Sequence, residues 1–221
     1  MPAQRKKQMN SAIKLTILFL ALYALITQQV LADSWLRRLD EWIYGRDFLL
    51  VTPGKTPTLV MLVDDLGLRA VTAFFLLVTA ILISRRFKSW RPVNLSILSL
   101  VLLNLVVGVS KLFFGRTKPN SGFDLVFTDS GLSYPSGHAA NALLTWGLLS
   151  YLIFRYTHRQ PFEGMRLTWL VVVITAGVCL VSLFRNTHWL SDLIGGLFIG
   201  GALLVAVIAV DRFVPSKRQP S

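Results

Sequence analysis

His188 and Asp192 stand four residues apart in RNTHWLSD, residues 185–192. In a helix that spacing is one turn, and side chains so placed can meet. A carboxylate beside an imidazole fixes the ring's tautomer and stabilises the imidazolium once it forms. His188 is therefore a candidate nucleophile. His138, in SYPSGHAAN at residues 133–141, is a candidate general acid for a leaving oxygen. A further segment, SKLFFGRTKPNSG at residues 110–122, brings Lys111, Arg116 and Lys118, and Arg185 opens the histidine segment itself. Cationic donors of this kind bind phosphate oxygens, at about 1.5–3 kcal/mol for each charge-assisted bond. A helix starting just after Pro135 and Ser136 would add its free amides, with Gly137 allowing close backbone approach.

Each group alone has a plainer reading. Lys111 and Arg116 could snorkel from a helix end, YPSGH could be a turn and helix start, and His188 with Asp192 could be a surface pair. Those readings weaken if one face carries all three segments, so the elements that position them decide the matter.

The chain has 221 residues, 53% hydrophobic and 15% charged, with mean hydropathy +0.57. A soluble domain carries about 25% charged residues. Near-continuous apolar runs of bilayer-spanning length, roughly 17–25 residues, recur at about 13–32, 66–84, 92–114, 138–154, 167–184 and 193–210. They predict an all-α integral membrane bundle of six helices, a single domain over residues 1–221. The first run reads as a retained anchor rather than a cleaved signal. Residues 33–65 are too polar to cross; SWLRRLDEWIYGRDFLL reads as an interfacial amphipathic piece, and VTPGKTPT as a loop.

The net charge of +12 is unevenly placed. With the N-terminus inside, the inner segments hold 14 of the 23 Lys and Arg but only Glu163 and Asp211 of the 11 acids. That is the positive-inside pattern. It argues against nucleic acid and for a multi-pass protein with both termini cytoplasmic. It also puts all three chemistry-bearing segments on the extracytoplasmic face. His158, in an inner loop, reads as an ordinary loop residue. Asp64 and Asp65, adjacent acids at a span boundary, read as solvated. Cys179 has no partner for a disulfide and reads as a buried thiol. GGLFIGG, residues 195–201, spaces small residues as helix packing requires. No metal-binding or nucleotide-binding pattern is present, so no cofactor is expected.

Together the motifs resemble the type 2 phosphatidic acid phosphatase superfamily, which shares its site with bacterial acid phosphatases and vanadium haloperoxidases. The family pattern is Lys, six residues, Arg-Pro; then Pro-Ser-Gly-His; then Ser-Arg, five residues, His, three residues, Asp. Lys111 and Pro119 match the first part, with Lys118 at the usual arginine. Pro135, Ser136, Gly137 and His138 match the second in full, and His188 and Asp192 match the third. Ser182 stands at the third part's arginine, and Arg185 lies three residues on, about 300° and 4.5 Å along a helix. The resemblance covers roughly residues 90–210. It implies that His188 attacks phosphorus to form a phosphohistidine, supported by Asp192. It implies that His138 protonates the leaving group and then activates water. Lys111, Lys118, Ser136, Gly137 and Arg185 would hold the phosphoryl oxygens of a membrane-lipid phosphate or pyrophosphate. A lipid phosphotransferase and a non-catalytic lipid-binding or transport protein are the alternatives; the last has no need of a His–Asp pair.

Overall fold

A bilayer offers backbone amides no water, so apolar segments must close their hydrogen bonds internally as helices. The computed structural model describes residues 2–44, 57–119, 132–157 and 161–214, and these are helical apart from short connections and one isolated bridge between Thr117 and Leu132. In chain order the helices are α1 (Pro2–Leu31), α2 (Trp35–Tyr44), α3 (Thr58–Asp65), α4 (Arg69–Arg86), α5 (Arg91–Phe114), α6 (Gly137–Asn141), α7 (Gly147–Thr157), α8 (Pro161–Phe184) and α9 (Leu190–Phe213).

Four of them, α1, α5, α8 and α9, are each long and apolar enough to cross a membrane. The other two expected spans are interrupted. In one, α3 and α4 form a pair bent by 58°. The reading of residues 33–65 as too polar to cross did not anticipate a helix at residues 58–65. TLVMLV is apolar enough to dock on α8, where a methyl at Gly177 would lie 3.2 Å from Val63. Most of VTPGKTPT, and His158, lie outside the described residues. In the other, α6 passes into a π-helical turn at Ala142–Trp146 before α7. The Thr145 hydroxyl bonds the Asn141 carbonyl there, and Trp146 Nε1 donates to Leu66 O at 2.9 Å. The two interruptions thus meet each other.

α9 is the central element. α1 runs along it, and α6 packs on it so closely that only glycine fits. A methyl at Gly196 would lie 2.4 Å from the Ser136 carbonyl oxygen, and one at Gly200 would lie 2.9 Å from that of Ala140. GGLFIGG therefore packs as its spacing implies. At the end distant from the histidines, Asp211 of α9 is gripped by Arg155 at 3.0 Å, by Arg91 at 2.5 Å and by the Tyr151 hydroxyl at 2.5 Å, which ties α5, α7 and α9 together. Leu76, Leu148 and Leu152 fill the adjoining half of the core; Leu103, Val107, Leu144 and Ile199 fill the half under the histidines.

Candidate active site

The segments on either side of residues 120–131 are stitched together by backbone bonds. Ser133 N–H donates to Arg116 O at 2.7 Å, and its hydroxyl to Thr117 O at 2.9 Å. Lys111 Nζ donates to Leu132 O at 2.7 Å. Tyr134 then anchors the loop to the spans. Its ring stacks on Tyr23 at 5.9 Å and meets Phe114 edge-on at 5.7 Å. Its hydroxyl pairs with Thr27 Oγ1 at 2.7 Å. Burial pushes the Tyr134 pKa up, so the phenol stays protonated. Ser136 N–H donates to Asp192 O at 2.9 Å, and the Ser136 hydroxyl caps α6 by accepting Ala139 N–H at 3.3 Å. That cap seats His138 on the first turn of α6, against the α3–α4 break: a methyl at Gly67 would lie 3.1 Å from its ring.

His188 sits just ahead of α9, and Asp192 on the first turn faces back toward it. Nδ1 of His188 lies 3.5 Å from Asp192 Oδ2, within ion-pair range, yet has no hydrogen-bond partner among the described residues. Asp192 itself is firmly held. Oδ2 accepts the Trp189 backbone N–H at 3.0 Å, and Oδ1 accepts Arg116 Nη1 at 2.9 Å. With Nδ1 toward the carboxylate, Nε2 of His188 is left for chemistry. The His138 and His188 rings are 6.1 Å apart, centroid to centroid.

Both histidines line a cavity of about 540 Å³, together with Lys111, Lys118, Gly137 and Arg185. The structure therefore brings six of the nine candidate residues to one cavity wall. Asp192 stands behind His188, and Ser136 is spent as a helix cap. Arg116 points away from the cavity. Its guanidinium lies between Asp192 and Asp40, bonds Ser191 Oγ at 2.6 Å, and covers the Trp189 ring at 5.0 Å. Removing one carboxylate from such a buried ion-pair set costs about 3–5 kcal/mol.

Sequence reasoning missed three residues. Asp64 is 8% exposed, not solvated. It lines the cavity, pairs with Arg185 and accepts the Ser182 hydroxyl at 3.4 Å. Arg69, at the start of α4, also lines the cavity, with Nη2 3.7 Å from the position a methyl on Gly137 would take. Asp40 is 1% exposed beneath α2. A carboxylate in an amphipathic helix that also carries Glu41 signals nothing by itself. Asp40 could have drawn notice only because it falls with Leu36 on the buried face.

A helical membrane bundle with a His–Asp pair, a second histidine and cations gathered at one cavity has the groups needed to hold a phosphoryl group. The sequence pattern of the PAP2 superfamily matches residues 92–214, more than half of the chain, and the chain belongs to that superfamily. It is 27% identical over 131 residues to Phosphatidylglycerophosphatase B of Bacillus subtilis (strain 168), a match covering 54% of this chain and 61% of that protein. Its fold is similar to the crystal structure of the first transmembrane PAP2 type phosphatidylglycerolphosphate phosphatase from Bacillus subtilis. The TM-score is 0.74 at 21% identity, covering 94% of this chain and 98% of that one.

Proposed function

We propose that the chain is an integral-membrane phosphatase of lipid phosphates or pyrophosphates, working through a phosphohistidine at the extracytoplasmic face. One observation carries the reading: His138 and His188 face a common cavity, rings 6.1 Å apart, with Asp192 behind His188. That gap is on the scale needed for one phosphoryl group between an attacking and a protonating nitrogen.

In the first step Nε2 of His188 forms a bond to phosphorus as the bond to the lipid oxygen breaks. His138 gives its proton to that oxygen, and Asp192 stabilises the imidazole as it becomes cationic. In the second step His138 takes a proton from water, water attacks phosphorus, and the nitrogen–phosphorus bond breaks to free phosphate. Negative charge stays on the equatorial oxygens throughout, so the main work is electrostatic. Lys111, Lys118 and the amides at the start of α6 supply donors. Arg69 takes the role of the arginine that the third motif lacks at Ser182. Arg185 is paired with Asp64 on the cavity wall, and a bound phosphate would compete with that carboxylate for it.

Similarity to a phosphatidylglycerophosphatase and the membrane setting support a lipid phosphate as the substrate class. Phosphatidylglycerol phosphate, phosphatidate and undecaprenyl pyrophosphate are the candidates. The test is phosphate release by purified protein from each lipid in mixed micelles. Release from at least one, lost in His188→Ala, supports the reading. A protein that binds these lipids but frees phosphate from none of them overturns it.

A further inference from the structure

Asp40 belongs to the helix whose sequence marks it only as an interfacial piece. α2 keeps Trp35 and Trp42 outward, 61% and 51% exposed, and turns Leu36 and Asp40 inward. A buried carboxylate is costly unless its oxygens are engaged, and among the described residues those of Asp40 are engaged by Arg116 and Ser191 of the active-site segments. Oδ2 accepts Arg116 Nη2 at 2.8 Å and Ser191 Oγ at 2.5 Å; Oδ1 accepts the Ser191 backbone N–H at 3.0 Å. From there the path is short. Arg116 passes its other terminal nitrogen to Asp192 Oδ1 at 2.9 Å, and Asp192 faces His188.

We propose that Asp40 is a positioning residue of the phosphoryl-transfer centre, acting on His188 through Arg116 and Asp192. This rests on His188 being the nucleophile. Three physical arguments support it. Arg116 is planar and its two terminal nitrogens are spent on two different carboxylates, so Asp40 fixes the plane in which the fork meets Asp192. The Ser191 contacts pin the first turn of α9, where Asp192 starts. And two carboxylates sharing one guanidinium leave a net charge of −1 beside His188. Asp192 alone with Arg116 would be neutralised and would offer the cationic phosphoimidazole little. α2 thereby becomes part of the site rather than only a membrane anchor.

The experiment compares wild type, Asp40→Asn, which is isosteric, and Arg116→Lys, which keeps the charge but cannot bridge both carboxylates. Three readouts are taken on purified protein: phosphate-release kinetics, thermal unfolding, and the 15N spectrum of labelled histidine. The expected result for folded Asp40→Asn is a fall in kcat of about tenfold or more with KM within about threefold. The His188 resonances should shift toward a more even mixture of tautomers, because the Asp192 carboxylate 3.5 Å from Nδ1 is no longer held in place. Retention of kcat within about twofold with an unchanged His188 spectrum overturns the proposal. If Asp40→Asn does not fold, Arg116→Lys decides by the same two criteria. If wild type frees no phosphate from any of the lipids, the phosphatase reading fails separately. The His188 spectrum then decides for Asp40: a change supports its positioning role and no change overturns it.

Discussion

At His138, His188 and Asp192 the residue types were enough to suggest a chemistry, because an imidazole among apolar spans stands out and a carboxylate one turn away can orient it, and the structure brings both histidines to one cavity. The anion-binding shell was less legible. Arg185 was read as the displaced motif arginine, and it does line the cavity, but it is paired there with Asp64. Arg69 was unmarked, because nothing in GLRAVTAFF says that the preceding chain bends it toward the first turn of α6. The account therefore expects Arg69→Ala to lower kcat/KM by about tenfold to a hundredfold, the loss of one charge-assisted contact in the transition state. Steady-state kinetics on the preferred lipid checks this, and a change under about threefold would make Arg69 a helix-end anchor instead. Activity should also survive EDTA, since the proposed electrophile is held by side-chain cations; loss on chelation restored by a divalent ion would contradict that.

At the scale of elements, length and hydropathy were sufficient for the unbroken spans and silent about the broken ones. The π-helical turn in the fourth span depends on Trp146 reaching Leu66 and on the Thr145 hydroxyl, contacts that no periodicity announces. The break at residues 66–68 is what carries Asp64 into the cavity and backs His138. The close approach of α6 to α9 was legible, because small residues spaced at four imply it. That approach makes a prediction. Gly196→Ala puts a methyl 2.4 Å from the Ser136 carbonyl, so α6 must move and with it His138. Overpacking of this kind costs about 1–3 kcal/mol, and the melting temperature in detergent should fall along with turnover. Gly108→Ala, whose added methyl meets nothing within 4 Å, is the control and should melt no lower than wild type. Equal melting temperatures for the two variants would mean that α6 and α9 are not so tightly apposed.

Over the whole molecule, one end carries the histidine-lined cavity and the other the Asp211 latch. The charge asymmetry leads us to expect the latch end in the cytoplasm. In a Cys179→Ala background, a cysteine at Glu41 should react with an impermeant thiol reagent in intact cells, and one at Arg86 should not. The reverse pattern would place the site on the cytoplasmic side. The multi-pass helical architecture was legible because the bilayer imposes length rules on sequence. The substrate was not, since a ring of cations recognises the phosphate and not the lipid that bears it.

The central claim is that His188 becomes phosphorylated during turnover, and a trapping experiment addresses it most directly. Purified protein is mixed with a lipid substrate labelled in its terminal phosphate, quenched within the first turnover, and mapped by peptide. The account predicts an acid-labile, base-stable label on the peptide containing His188. The label should be absent in His188→Ala, which should also release no phosphate while remaining folded. Phosphate release that continues in His188→Ala, or a label on another residue, would contradict the mechanism.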